Sequence, residues 1–152
     1  KDLWPSEGGV EERVDDLITR ISQVEGIEGV TILGGEPLEQ EEAVLELIKR
    51  VKSIGLTVML YSGFEEEELN PTQMSCVEES DIVILGRYVA DLRDNSLLWR
   101  GSSNQEIRIN SEVYSGIEID EAEEVEITIS PDGRVSLVGY PDPKLLRKIK
   151  DL

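Results

Sequence analysis

Apolar positions change their period several times along the chain, and each change marks an element. Val10, Val14, Leu17, Ile18, Ile21 and Val24 recur at three- and four-residue steps, the spacing of an amphipathic helix that follows the Gly8-Gly9 turn. Val30 to Leu33 is a short, β-branched run closed by two glycines and predicts a buried strand. From Glu39 onward Ala43, Val44, Leu47, Ile48, Val51 and Ile54 return to helical spacing. Acids fill the first turns of that helix and "KRVK" its last, as the helix dipole favours, and Gly55 follows as a stop signal.

"LTVMLYSG" predicts a second strand, "FEEEEL" a short helical or turn segment, and "DIVILGRY" a third strand. Continuous rather than alternating apolar strands, separated by helices, predict an α/β fold whose parallel sheet is covered on both faces. Past Tyr88 the character changes. "LRDNSLLWRGSSNQ" reads as loop, "EIRIN" as a candidate strand, and "VEITISPDGRVSLVGY" as two strands joined at "SPDGR", a hairpin signal. "PDPKLLRKIKDL" predicts a short basic helix opened by proline. No repeat or linker divides the sequence, and its 152 residues suit a single domain over 1–152.

Charge narrows the partners. With 33 acids against 15 bases the net charge is −18, which repels phosphate backbones and anionic lipid, so no nucleic acid and no membrane is expected. No stretch nears the roughly 18 apolar residues that span a bilayer, and "KDLWPSEGG" is not a signal peptide, so a cytoplasmic location is the expectation. One cysteine, Cys76, excludes an internal disulfide, and the absence of histidine removes Ser-His-Asp and Cys-His catalysis and the HExxH zinc site. The acidic runs "FEEEEL" and "EIDEAEEVEI" lack the spacing of a calcium loop and read as solvated faces. Trp4 and Trp99 are candidates for core packing or for a partner surface.

In open parallel sheets ligands bind beyond the carboxyl ends of the strands, and "GGEP" stands at such an end. Gly34 and Gly35 bare the main chain, Pro37 stiffens the turn, and Glu36 offers an acceptor for an ammonium or hydroxyl. A phosphate suits this loop poorly, because the acid repels it and neither GxxxxGK[ST] nor GxGxxG is present. The same residues also read as an ordinary strand-to-helix turn with a favourable first-turn acid. Two neighbouring strand ends bear on the choice: Ser62 and Gly63 close the second strand, Gly86 and Arg87 the third. Together they form a candidate rim for one small molecule with an ammonium and a carboxylate; Arg87 also reads as a solvated rim charge.

"GVTILGGEPLEQ", "GLTVMLYSGF", "DIVILGRYVADLRDNSLLWRGSSNQEI" and "SPDGRVSLVGYPD", in that order, resemble the radical SAM activating enzymes of anaerobic ribonucleotide reductase. The resemblance implies a partial (βα) barrel of parallel strands, with a C-terminal β-hairpin and short helix, that binds S-adenosylmethionine. It implies that Gly34, Gly35, Glu36 and Pro37 hold the methionyl ammonium, with Ser62 and Gly63 beside the same cofactor. Asn104 and Gln105 fall in the family's "RGSxNQ" signature and also read as a loop held by amide hydrogen bonds.

The family carries a 4Fe-4S cluster on a Cys-x3-Cys-x2-Cys loop, which this sequence lacks. "KDLWPSEGG" looks like the segment after that loop, so the expectation is a domain without its N-terminal first strand and cluster loop, the cluster belonging only to the intact protein. The intact enzyme would generate a 5′-deoxyadenosyl radical and install a glycyl radical on a partner such as anaerobic ribonucleotide reductase, whereas these 152 residues alone would be inactive. Two other readings stand beside it: a cluster-less, S-adenosylmethionine-binding or regulatory relative, and an acidic protein-interaction module.

Overall fold

The computed structural model describes residues 10–117, 119, 125–130, 134–139 and 147. The chain divides into two compact units, residues 1–88 with 104–117 and residues 89–103 with 118–152. In the first unit, α1 (Val14–Ser22), β1 (Gly29–Ile32), α2 (Glu41–Ser53), β2 (Thr57–Ser62), α3 (Pro71–Glu79), β3 (Ile82–Leu85) and β4 (Glu106–Ile109) follow in order. The sheet runs β1-β2-β3-β4, with β1, β2 and β3 parallel and β4 antiparallel to β3. Sequential parallel strands joined through helices are the arrangement of part of a (βα) barrel, so the α/β class holds. "EIRIN" supplies the antiparallel edge strand.

Register keeps the strand ends level. Ile32 pairs with Leu60 and Ser62 with Leu85, so β2 and β3 end together, two residues beyond β1. Burial alternates along β2, where Val58, Leu60 and Ser62 are buried and their neighbours are only partly so, while β3 is buried throughout. The continuous burial expected of all three strands is therefore a property of β3 alone. Val58, Leu60, Val83 and Leu85 pack with Val44, Ile48 and Val51 of α2, Ile18 of α1, and Cys76 and Val77 of α3. Burial of a side chain such as Ile48 or Leu60, both fully enclosed, contributes roughly 1.5–3 kcal/mol.

The ends of α1 and the position of α3 differ from the periodic pattern, while the stop after α2 matches it. Val10 and Val24 lie outside α1 and are exposed, at 87% and 55%. Gly55, at φ +83°, turns the chain after α2 as a glycine stop does. The helix between β2 and β3 lies beyond "FEEEEL", where it is expected, as α3 (Pro71–Glu79): its polar residues hide the period, but Asn70 caps it by accepting from the amides of Thr72 and Gln73. Gln73 returns the contact to the Asn70 amide, and Pro71 occupies the first turn. "FEEEEL" contributes only the 3-10 turn Glu66–Glu68.

In the second unit β5 (Val125–Ile129) and β6 (Val135–Gly139) pair antiparallel as the hairpin expected around "SPDGR", though residues 131–133 of that turn lie outside the described residues. The loop beginning at Val89 folds on itself: the Val89 amide donates to the buried Ser102 hydroxyl at 3.1 Å and the Ser103 amide to the Leu92 carbonyl at 2.9 Å. Trp99 is partly buried and takes a positive φ of 58°. Trp4 and the terminal basic helix expected over 141–152 lie outside the described residues, apart from Arg147. No helix among the described residues is long and apolar enough to cross a membrane.

Candidate functional site

The carboxyl ends of β1, β2 and β3 open onto one cavity of about 470 Å³, a size typical of small-molecule sites. The end of β1 contributes Leu33, Gly34, Gly35 and Glu36; β2 contributes Tyr61, Ser62 and Gly63; and the β3 side contributes Gly86, Tyr88 and Gln105. Gly34 has φ +133°, a conformation essentially restricted to glycine. A methyl group built on Gly35 would meet no atom within 4 Å, so its backbone faces open space.

Glu36 ties two of these loops together. Its Oε1 accepts from the Leu38 amide at 3.0 Å and from the Ser62 hydroxyl at 2.8 Å, and its Oε2 accepts from the Gly63 amide at 2.7 Å. The first bond caps the 3-10 turn Pro37–Gln40, which Pro37 opens and the fully buried Leu38 anchors. A carboxylate has about four acceptor positions, so three are engaged within the protein and about one stays available to a bound cation. The Ser62 hydroxyl also accepts from the Phe64 amide at 3.1 Å, fixing its orientation.

The third loop is held by amides. Gln105 Nε2 donates to the Gly86 carbonyl at 3.0 Å, and Asn104 Nδ2 donates to the Arg87 carbonyl at 2.8 Å. Asn104 Oδ1 is buried and has no hydrogen-bond partner among the described residues. The "NQ" of the signature thus fastens the backbone after β3, as the amide-held loop reading expects. The Arg87 guanidinium points at Glu68, at 2.7 Å, and is not part of the cavity lining. That pairing raises the Arg87 pKa and lowers that of Glu68 through their shared hydrogen bond. Burial raises the pKa of Tyr61.

Of the residues singled out in the sequence, Gly34, Gly35, Glu36, Ser62 and Gly63 therefore share one cavity, together with Gly86; Pro37 stands behind the loop and Arg87 faces away to Glu68. Gln105 of the "RGSxNQ" signature lines the cavity too, as do Leu33, Tyr61 and Tyr88, which the sequence does not single out. Each of these three neighbours a residue that is singled out, and proximity to glycine at a strand end was the available signal.

The two implied groups fare differently. For S-adenosylmethionine the residues fit: open glycine backbone, a fixed carboxylate with remaining acceptor capacity, and a cavity of suitable size. For a 4Fe-4S cluster they do not. Cys76 is the one cysteine of the sequence; its side chain is fully buried in α3, its thiol donates to the Glu41 carbonyl at 3.4 Å, and its pKa is pushed up to about 11 by burial and then by Glu41. Cluster ligation requires thiolate, and among the described residues no three His, Cys, Asp or Glu side chains gather to hold a metal.

Comparison with known proteins gives a consistent picture. Over 82 residues the chain is 37% identical to the anaerobic ribonucleoside-triphosphate reductase-activating protein of Escherichia coli K12, covering 51% of this chain and 53% of the relative. The proteins of that name from Salmonella typhimurium and Haemophilus influenzae are 35% and 33% identical over the same length. The chain thus spans about half the length of the curated relatives it matches. Residues 3–108 match the family described as "4Fe-4S single cluster domain", and with well over half of its length inside that match the chain belongs to this family.

Proposed function

We propose that the cavity at the ends of β1, β2 and β3 binds S-adenosylmethionine, and that the chain is the cofactor-binding part of a radical SAM activating enzyme. Its target is a glycyl radical protein such as anaerobic ribonucleotide reductase. The observation that carries the reading is the Glu36 carboxylate, pinned between Leu38, Ser62 and Gly63 beside the open backbone of Gly35. Curated relatives named as activating proteins of that reductase support the choice of target.

The residues divide the work by position. Glu36 would accept a charge-assisted hydrogen bond from the methionyl ammonium on its remaining lone pair. Gly34 and Gly35 let the amino acid end approach the main chain, and Ser62 and Gly63 hold Glu36 at its angle rather than contacting the reacting atoms. Leu33, Tyr61 and Tyr88 supply the apolar part of the cavity lining. S-adenosylmethionine, when bound, supplies radical chemistry aimed at a glycine of the partner. Because Cys76 is unsuited to a cluster, the cysteines that hold one would lie outside these 152 residues.

Isothermal titration of the chain with S-adenosylmethionine tests the reading. Binding is expected at millimolar ligand or below, weakened at least about tenfold by Gly35→Val, whose side chain would enter the open space. Absence of heat at millimolar ligand would overturn it and favour the acidic interaction module. The misfit of Cys76 favours a second reading, a cluster-less relative that binds the same ligand without catalysis. A cysteine triplet in the complete reading frame would exclude that alternative.

A further inference from the structure

Two large side chains of the cavity stay exposed although they line it: Leu33 at 66% and Tyr88 at 54%. Tyr88 follows a turn with unusually complete backbone anchoring. The Gly86 amide donates to the carbonyls of Ser62 at 3.1 Å and Phe64 at 3.0 Å, and the Gly86 carbonyl accepts from Gln105 at 3.0 Å. The Arg87 amide donates to Glu65 at 3.4 Å and the Arg87 carbonyl accepts from Asn104 at 2.8 Å. Gly86 itself, at φ +107°, sets the direction in which the chain leaves β3. The mount is fixed by five hydrogen bonds over two residues, yet the ring it presents is left in water at the edge of a cavity.

Leu33 leaves the sheet at β1 and Tyr88 at β3, on either side of β2. The strand lines that carry them are thus two inter-strand spacings apart, about 10 Å, room for one flat group between an aliphatic and an aromatic wall. Glu36, Ser62 and Gly63 are joined by hydrogen bonds at the ends of β1 and β2, so the same lining offers a place for charge beside the apolar surface of Leu33 and Tyr88.

We propose that Tyr88 is a specificity-determining residue of this cavity: its anchored ring, with Leu33, selects ligands that carry a flat heteroaromatic ring, such as the base of a nucleoside, over ligands that carry only the charged amino acid end. The proposal rests on the reading of the cavity as an S-adenosylmethionine site and adds the part of the ligand that Tyr88 recognises. Gln105 and Asn104 act as positioning residues for it, through the carbonyls they hold.

The test compares S-adenosylmethionine with S-methylmethionine, which has the same sulfonium amino acid end and no base, on the unaltered chain, Tyr88→Ala and Tyr88→Phe. Tyr88→Ala is expected to weaken S-adenosylmethionine binding at least about fivefold, the low end for loss of a base–aromatic stack, to leave S-methylmethionine binding unchanged, and to melt at the same temperature because the ring is exposed. Tyr88→Phe keeps the ring and is expected to bind both ligands normally. Equal affinity of Tyr88→Ala and the unaltered chain for S-adenosylmethionine would overturn the proposal while leaving the site reading intact. So would equal losses for the two ligands, or a Tyr88→Phe variant as weak as Tyr88→Ala. If the unaltered chain binds neither ligand, the reading of the site fails first and this inference with it.

Discussion

At the scale of single residues, the two glycines of "GGEP" do different work. Gly34 holds φ +133°, whereas Gly35 has neither a positive φ nor a neighbour within 4 Å of an added methyl. Gly34→Ala is therefore expected to cost about 1–3 kcal/mol of stability, and Gly35→Ala close to nothing, a contrast read directly from denaturant midpoints. Glu36→Gln removes the charge from three hydrogen bonds and turns half of an acceptor group into a donor facing amides or a hydroxyl. A loss of about 1–3 kcal/mol is expected, larger than for substitution of the exposed Glu39. Cys76 offers a chemical check. With its thiol enclosed and its pKa near 11, it should resist a thiol reagent at pH 8 in the native chain and react fully in denaturant. The raised pKa also fixes a sign: the stabilisation is complete below the unfolded thiol pKa, near 9, and is lost as pH rises through about 11. Rapid modification of the native thiol would contradict the burial from which all of this follows.

At the scale of elements, legibility followed how strongly burial imposed a period. Strands β1 to β3 and helix α2 announced themselves because their apolar residues face one core. Helix α3 did not, since its buried residues are Gln73, Cys76 and Val77, and only one of these is a conventional core residue. Its signal was in the cap: Asn70, Pro71 and Gln73 spell a capping box with proline in the first turn. Asn70→Ala should accordingly destabilise the chain by about 1 kcal/mol, a shift in urea midpoint without a change in slope, because it removes acceptors for two amides. An unchanged midpoint would mean that packing of Cys76 and Val77 alone holds the helix. The candidate site was legible through its glycines and Glu36 because glycine-bearing ends recur on three neighbouring strands. Leu33 and Tyr88 were not, since an exposed apolar residue carries no pattern of its own until the cavity beside it is seen.

At the scale of the molecule, charge dominates. The ion pairs among the described residues engage Arg13, Arg20, Arg50, Lys52, Arg87 and Arg108 with acids, Arg50 bridging to Asp15 and Glu46. Even if every one of the 15 bases were matched, 18 acids would remain in excess. Salt acts on these two populations in opposite directions. It weakens the pairs, most of which are exposed and worth about 0–1 kcal/mol each, and it relieves the repulsion among the excess acids, which grows with net charge. At −18 the second effect wins. Raising sodium chloride from about 0.01 M to about 0.15 M shortens the screening length from roughly 30 Å to 8 Å. Each 1 kcal/mol of repulsion relieved should then raise the melting temperature by about 2–4 °C. The same rise is expected in potassium chloride, since screening depends on ionic strength and not on the cation. A melting temperature that falls with salt would show that the ion pairs together outweigh the surplus acids.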